Sequence, residues 1–198
     1  MFWNDVYLAK SPSERSWTQA WPLDVEVIES LVPDHDAAII DVGAGASELL
    51  AALIARGYTN LTALDISAVA LDEARRRVGP HAPVAWIVGD VTTFEAEDSF
   101  ALWRDRATFH FLVTSEQQRR YLNVIRRAIR RDGYLLLATF APDGPSTCSG
   151  LPVQRWSTEE MVAFVGDDFR LEREQPRTHV TPWGVEQSFN SWVFRRNL

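Results

Sequence analysis

Short apolar runs alternate with amphipathic stretches along most of the chain. Compact apolar runs bounded by turn residues predict strands, whereas apolar residues that recur every three to four positions predict helices. The predicted strands are residues 38–42, 61–65, 84–88, 100–103, 134–140, 169–174 and 185–194. The predicted helices begin near Trp21, Ser47, Ser67, Ser115 and Ser157. This alternation predicts an α/β fold on a mostly parallel sheet.

The first predicted strand runs into a turn that contains two glycines. The sequence reads Ala38-Ile39-Ile40-Asp41-Val42-Gly43-Ala44-Gly45-Ala46-Ser47. Because glycine has no Cβ, Gly43 and Gly45 would allow the backbone of the turn to approach a ligand closely. Ser47 is expected to cap the following helix, and Gly57 is expected to end it. The stretch is typical of the first strand, turn and helix of a doubly wound sheet.

Acidic residues mark the ends of the first three predicted strands. Asp41 precedes the turn, Asp65 lies about 20 residues beyond Gly45, and Gly89-Asp90-Val91 follows the third strand. A carboxylate beside the turn suits a cation better than a pyrophosphate. A carboxylate at the end of the second strand can accept hydrogen bonds from both ribose hydroxyls. In the third motif, we expect the aspartate to face an adenine amino group and the valine to offer a backbone N–H.

Asp41-x-Gly43-x-Gly45, Asp65 and Gly89-Asp90-Val91, in this order and spacing, resemble motifs of the class I methyltransferases that use S-adenosylmethionine (SAM). The resemblance covers roughly residues 35–140. It implies a Rossmann-like doubly wound sheet of seven strands, mostly parallel with an antiparallel C-terminal strand, with helices on both faces. It also implies SAM as the cofactor. The expected contacts are Asp41, Gly43, Ala44, Gly45, Asp65, Ile66, Gly89, Asp90 and Val91.

Residues 1–20 are rich in aromatic side chains but weakly periodic. The spacing of Trp3, Tyr7 and Trp17 resembles the N-terminal segment of thiopurine and thiol methyltransferases, in which aromatic residues cover the cofactor. Aromatic faces attract sulfonium and ammonium groups by about 0.5–2 kcal/mol. We therefore expect residues 1–20 to form a lid over the cofactor and residues 21–198 to form a single methyltransferase domain. The alternative is that these aromatic residues only fasten the N-terminus to the sheet.

A charged stretch, residues 104–111, follows the fourth predicted strand. The carboxyl end of a parallel strand faces the ligand crevice, so the methyl acceptor is expected here. Asp105 and Arg106 resemble the Asp-Arg pair of the thiopurine methyltransferase family, although Ala107 stands where that family has glycine. Arg106 suits an anionic group of the acceptor or the cofactor. Asp105 is expected to hold the Arg106 guanidinium, and His110 is the candidate general base.

Composition narrows the classes of partner. Twenty basic and 27 acidic residues give a net charge of −7, which argues against non-specific binding to nucleic acid or anionic membranes. The single cysteine, Cys148, excludes an internal disulfide, and no Cys/His spacing suggests a metal site. No apolar run approaches the roughly 18 residues of a membrane span, and no signal-peptide pattern is present. A cytoplasmic monomer or dimer is expected.

These patterns define the cofactor more closely than the methyl acceptor. The favoured hypothesis is in-line transfer of a methyl group from SAM to a small-molecule nucleophile, with a thiol as the first choice. Two alternatives stay open: a protein lysine N-methyltransferase and a non-catalytic SAM-binding regulatory subunit. Residues 141–156 form a predicted long loop that contains Cys148, and the sequence leaves the role of this loop open.

Overall fold

The computed structural model describes residues 1–18 and 24–198. Within these residues, one seven-stranded sheet organises the fold, with the strand order β3-β2-β1-β4-β5-β9-β8. Its strands are β1 (Ile39–Val42), β2 (Leu61–Asp65), β3 (Val84–Val88), β4 (Phe100–Arg106), β5 (Ile129–Phe140), β8 (Phe169–Val180) and β9 (Glu186–Arg196). β6 (Thr147–Cys148) and β7 (Leu151–Pro152) form a separate small hairpin. β9 is antiparallel to both neighbours, and the other pairs are parallel. The predicted Rossmann-like sheet with an antiparallel C-terminal strand is confirmed.

Helices cover both faces of the sheet. The helices are α1 (Phe2–Ala9), α2 (Val25–Leu31), α3 (Leu49–Ala55), α4 (Ala68–Val78), α5 (Ser115–Ala128) and α6 (Thr158–Val165). Ser67 and Ser157 cap α4 and α6 as predicted, since each side chain accepts a backbone N–H of the first turn. The helix start predicted near Trp21 lies outside the described residues. No helix of the described ranges is long and apolar enough to cross a membrane.

The core consists of two apolar layers, one on each face of the sheet. Leu102 and Trp103 are consecutive in β4 and both fully buried, because successive strand residues point to opposite faces. Trp103 packs in the layer that contains residues of α5 and α6, and Leu102 packs in the layer that contains residues of α2 and α3. Burial on both faces explains the nearly continuous apolar run in β5.

Several predicted boundaries differ from the structure. β4 extends to Arg106 instead of ending at Trp103, because its charged side chains find partners inside the fold. α3 begins at Leu49, since the Ser47 hydroxyl lies 3.4 Å from an Asp41 carboxylate oxygen and does not cap the helix. Thr114, rather than Ser115, caps α5. The last two strands of the sheet are longer than predicted, and the predicted loop of residues 141–156 contains the β6–β7 hairpin.

Candidate active site

A cavity of about 420 Å³ lies at the carboxyl ends of β1 to β4. This is the edge where a doubly wound sheet binds its ligands. The predicted residues on its wall are Trp3, Tyr7, Trp17, Gly43, Ala44, Asp65, Ile66, Gly89, Asp90, Val91 and Arg106. Asp41, Gly45, Asp105 and His110 are not among the described wall residues. The structure thus gathers most of the predicted site around one cavity and sets four predicted residues behind its wall.

The glycine turn requires glycine for its own packing. Gly43 and Gly45 have φ angles of 61° and 53°, in the left-handed region that side chains disfavour. A Cβ on Gly43 would collide with the Thr108 hydroxyl, and one on Gly45 would collide with the Tyr7 hydroxyl. The turn therefore lies directly against the chain after β4 and against α1. Its backbone can form part of the cavity wall because these positions carry no side chain.

Asp65 holds the turn and the start of α4 together. Its two carboxylate oxygens accept hydrogen bonds from the backbone N–H groups of Gly45 at 2.8 Å and Ser67 at 2.7 Å. Burial raises the pKa of Asp65 to about 6. Each carboxylate oxygen has a second lone pair, so Asp65 can still accept bonds from a ligand in the cavity. Asp90 is exposed and accepts a bond from the Thr92 N–H at 2.8 Å.

Asp41 is part of a buried ion network. Its carboxylate accepts a hydrogen bond at 2.8 Å from Arg104, which lies beside it on β4. Arg104 also donates two bonds, at 3.0 and 2.9 Å, to Asp24, and Arg177 donates to the other oxygen of Asp24 at 2.7 Å. The sequence predicts an interaction of Asp41 with a ligand cation, direct or through water; the structure does not support a direct contact, because the carboxylate is engaged by Arg104. Arg104 is the member of this pair on the cavity wall.

The network members have pKa shifts of opposite sign. Burial acts to raise the pKa of Asp24, but the guanidinium groups of Arg104 and Arg177 outweigh it and lower the pKa. Burial raises the pKa of Asp41, and Arg104 offsets this only in part. Asp24, Arg104 and Arg177 were not predicted as site residues. An arginine directly after the apolar run of β4, next to a strand that ends in an acid, is the signal that could have revealed Arg104.

The N-terminal residues pack across the cavity. The Trp3 ring lies 5.0 Å from Phe111 and 6.0 Å from Trp17, measured between centroids. Arg15 is buried, donates to the Tyr7 carbonyl at 3.1 Å and forms an ion pair with Glu73 of α4 at 2.9 Å. The aromatic residues therefore form one wall of the cavity in this structure.

The chain is similar to known methyltransferases. Residues 39–133 match a family model described as a methyltransferase domain. An uncharacterized methyltransferase of Mycobacterium tuberculosis is 31% identical over 149 residues, which cover 73% of this chain and 70% of the relative. The chain belongs to the SAM-dependent methyltransferases. Because this is a family of enzymes, the alternative of a non-catalytic subunit is not retained.

Solved structures show the same fold. The N-methyltransferase NodS of Bradyrhizobium japonicum, in complex with S-adenosylhomocysteine, has a TM-score of 0.75 at 14% identity. The match covers 98% of this chain and 97% of the NodS chain. A structure from work on the conversion of a disulfide bond into a thioacetal group in echinomycin biosynthesis has a TM-score of 0.78 at 20% identity. The match covers 99% of this chain and 92% of the chain in that structure. At these identities, the likeness shows the fold. SAM is the cofactor of this methyltransferase.

The Asp65→Ala variant is expected to bind S-adenosylhomocysteine about 10- to 100-fold more weakly than the wild type. The reason is the loss of a charged acceptor, whose hydrogen bonds contribute about 1.5–3 kcal/mol. Wild-type affinity should also fall as the pH drops through about 6, where the carboxyl group takes up a proton. Titration calorimetry between pH 5 and 8 measures both effects. Asp72→Ala, an exposed change on α4, is the matched control, and equal affinities in the two variants would contradict the ribose assignment.

Asp105 binds the turn after β4 and does not hold the Arg106 guanidinium. Its carboxylate accepts hydrogen bonds from the backbone N–H groups of Thr108 and Phe109 at 3.0 and 3.1 Å and from the Tyr121 hydroxyl at 2.9 Å. The predicted pairing of Asp105 with Arg106 is therefore not found. Burial raises the pKa of Asp105 to about 6. Ala107 has a φ of 65°, which explains why a glycine at the matching position of the resembling family suits this turn.

His110 is packed in the interior. Its ring lies 4.5 Å from Phe111 and 4.9 Å from Phe140, and neither ring nitrogen has a hydrogen-bond partner among the described residues. Burial, and then the positive charge of Arg106, lower the pKa of His110 to about 3. Its position behind the cavity wall and this low basicity do not support the predicted role of general base.

Arg106 is the charged residue at the end of the cavity beyond β4. One terminal nitrogen, Nη1, donates to the Trp17 carbonyl at 3.2 Å, and the guanidinium lies 5.4 Å from the centre of the Phe189 ring. The other terminal nitrogen, Nη2, is buried without a hydrogen-bond partner among the described residues. Burial and the neighbouring charge of Arg104 lower the pKa of Arg106 to about 10, so it stays protonated at neutral pH.

The β6–β7 hairpin adds Cys148 and Leu151 to the cavity wall near Arg106. Cys148 is buried, and burial raises the pKa of its thiol. The predicted long loop thus has ordered structure that closes one end of the cavity. The raised pKa keeps this thiol protonated at neutral pH, which is unfavourable for a nucleophile.

Proposed function

We propose that this methyltransferase acts on a small-molecule nucleophile and that the acceptor is a thiol, which reacts as its thiolate. The observation that carries the proposal is where the carboxylates of the cavity wall lie. The carboxylates on the described wall, those of Glu48, Asp65, Glu73 and Asp90, belong to the side formed by β1 to β3 and the helices that follow. The end beyond β4 has the Arg106 guanidinium, and its described wall holds no carboxylate or imidazole.

An acceptor at this end must lose its proton without a carboxylate or imidazole base. A thiol has a reference pKa near 8.5, so a useful fraction is already ionised near neutral pH. A nearby guanidinium increases that fraction. A lysine ammonium, with a pKa near 10.4, would be repelled by the same charge and would need a base. The described side chains therefore favour a thiol over a protein lysine.

SAM supplies a methyl group already activated by a sulfonium. The protein is left with the tasks of orientation and exclusion of water. Under this proposal, Trp3, Trp17 and Phe111 enclose the reacting atoms, and the glycine turn and Asp65 hold the cofactor. Residues 1–18 act as the closing part of the predicted lid; residues 19 and 20 of that lid lie outside the described residues.

The acceptor class is tested with SAM that carries a labelled methyl group. The purified protein is incubated with matched small thiols, amines and alcohols and, separately, with protein extract. Reactions without protein set the uncatalysed rate. Label transfer to thiols is the expected result. Transfer to amines alone, or to protein lysine alone, would contradict the proposal while leaving the methyltransferase assignment intact.

Arg106→Ala is expected to lose most of its turnover with a neutral thiol such as 2-mercaptoethanol, and to lose most at low pH. In the wild type, the guanidinium shifts thiol ionisation to a pH below the free thiol's own pKa, whereas in the variant the rate should keep rising up to that pKa. The ratio of wild-type to variant rates should therefore shrink between pH 6.5 and 9. A ratio that does not change with pH would remove Arg106 from thiolate stabilisation.

A further inference from the structure

A second, much smaller cavity shares Arg106 with the large one. Its volume is about 20 Å³, and its described wall is formed by Asp24, Arg106, Ala138, Arg177, Thr178, His179 and Phe189. Arg106 is the described residue that lines both cavities. A water molecule needs roughly 10–15 Å³ of such space, so the small cavity has room for one water or one ligand oxygen.

Two residues of this wall, Arg106 and Arg177, each have a buried guanidinium nitrogen without a hydrogen-bond partner among the described residues. The two nitrogens are Nη2 of Arg106 and Nε of Arg177, and neither forms a hydrogen bond within residues 1–18 and 24–198. A buried donor without an acceptor destabilises the folded protein, because it has lost its hydrogen bonds to water. Two such donors on side chains that line one small cavity indicate that an acceptor from outside the protein belongs there.

The charges around this cavity do not balance. Arg104 and Arg177 are engaged by the carboxylates of Asp24 and Asp41. Arg106 has no carboxylate partner in the described part of the chain. The three guanidinium groups therefore exceed the two carboxylates by one positive charge. An anionic ligand would restore the balance.

The position of the small cavity in the sheet separates it from the predicted cofactor contacts. Arg106, Ala138, Phe189 and Arg177 lie on β4, β5, β9 and β8, which follow one another across the sheet. The predicted ribose and adenine contacts follow β2 and β3 on the opposite side of β1. A ligand group in the small cavity therefore belongs to the acceptor side of the site.

We propose that Arg106 and Arg177 form a subsite for a carboxylate of the methyl acceptor. The acceptor would then be a small molecule with a nucleophilic atom in the large cavity and a carboxylate that places one oxygen in the small cavity, beside the two guanidinium groups. The apolar side chains of Ala138 and Phe189 keep this subsite poorly hydrated, which strengthens charge-assisted hydrogen bonds. This inference rests on the proposed function and adds the substrate class to it.

The test compares two thiols that differ only in charge, 3-mercaptopropanoate and 3-mercaptopropanamide. Each is titrated into protein saturated with S-adenosylhomocysteine, so that no turnover occurs, and binding is measured by calorimetry. The wild type is expected to bind the acid about tenfold more tightly than the amide, because a hydrogen bond to a charged group contributes 1.5 kcal/mol or more. Arg177→Gln should reduce the preference to about twofold.

Two further variants keep the test independent of folding. Arg173→Gln, an exposed change on the same strand, should retain the tenfold preference. Ala138→Val fills the small cavity without removing an ion pair and should abolish the preference. Equal binding of acid and amide by the wild type, absence of binding by both, or an unchanged preference in folded Arg177→Gln and Ala138→Val would overturn the subsite.

The same titrations distinguish the other possible anion, the carboxylate of the cofactor. If Arg177→Gln weakened S-adenosylhomocysteine binding tenfold and the wild type showed no acid preference, the subsite would belong to the cofactor and this inference would be wrong. Failure of the wild type to bind S-adenosylhomocysteine at all would instead contradict the methyltransferase function itself.

Discussion

Arg104→Ala is expected to lower the free energy of unfolding by about 3–5 kcal/mol, the scale of breaking a buried ion pair. Arg104 donates to Asp24 and Asp41 at 2.8 to 3.0 Å, and all three side chains are buried. Its removal leaves Asp41 without a cation and Asp24 with Arg177 alone. Urea denaturation monitored by tryptophan fluorescence measures the loss.

Two control variants separate the ion network from simple loss of volume. Arg106→Ala removes a large side chain from the same strand but unpairs no carboxylate within the described residues, so its cost should be clearly smaller. Combining Arg104→Met with Asp24→Asn and Asp41→Asn removes three of the four charges, leaves only the partly exposed Arg177 without its carboxylate, and should recover part of the stability. If Arg104→Ala and Arg106→Ala cost the same, the ionised network would not be the cause.

The network also has a consequence for function. Asp41 lies at the end of β1, Arg104 on β4, Arg177 on β8, and Asp24 directly before α2. These hydrogen bonds therefore hold three parts of the site in fixed relative positions. The parts are the glycine turn after β1, the carboxyl end of β4 and the start of α2. A change at Arg104 is expected to affect cofactor and acceptor binding together.

The cofactor side of the site is predictable from local sequence. The predicted residues lie at the ends of strands, each strand is recognisable by an apolar run, and parallel strands bring their carboxyl ends to one edge of the sheet. Correct identification of the strands is therefore enough to predict that Gly43, Asp65 and Asp90 lie at the same cavity, and all three line its wall. The strands and helices were predictable for the same reason, because their periods are local properties, whereas the antiparallel C-terminal strand was implied by the family resemblance.

The acceptor side depends on pairing between distant strands. Asp41 and Arg104 are neighbours because of the register between β1 and β4, and Arg177 joins them from β8. Apolar periodicity carries no information on that register. The same limit applies to His110, because the sequence pattern does not reveal that its ring is fully buried beside Phe111 and Phe140.

Gly43→Val is expected to abolish measurable SAM binding, with a loss of more than about 100-fold in affinity. Three effects act together. The φ of 61° strains a β-branched residue, its Cβ would collide with the Thr108 hydroxyl, and the added bulk stands on the wall of the cavity. Titration with S-adenosylhomocysteine measures the loss, and circular dichroism checks that the fold remains.

Gly184→Val isolates the effect of position. Gly184 also has a positive φ, 85°, but a Cβ there would meet no described atom within 4 Å. Gly184→Val therefore has the backbone strain of a valine at positive φ in common with Gly43→Val. It lacks the steric collision, and it lies away from the described cavity wall. It should lose some stability and keep its affinity for the cofactor. If Gly43→Val kept wild-type affinity while folded, the turn between β1 and α3 would not form the cofactor wall, because the new side chain has no other place to go than against Thr108 or into the cavity.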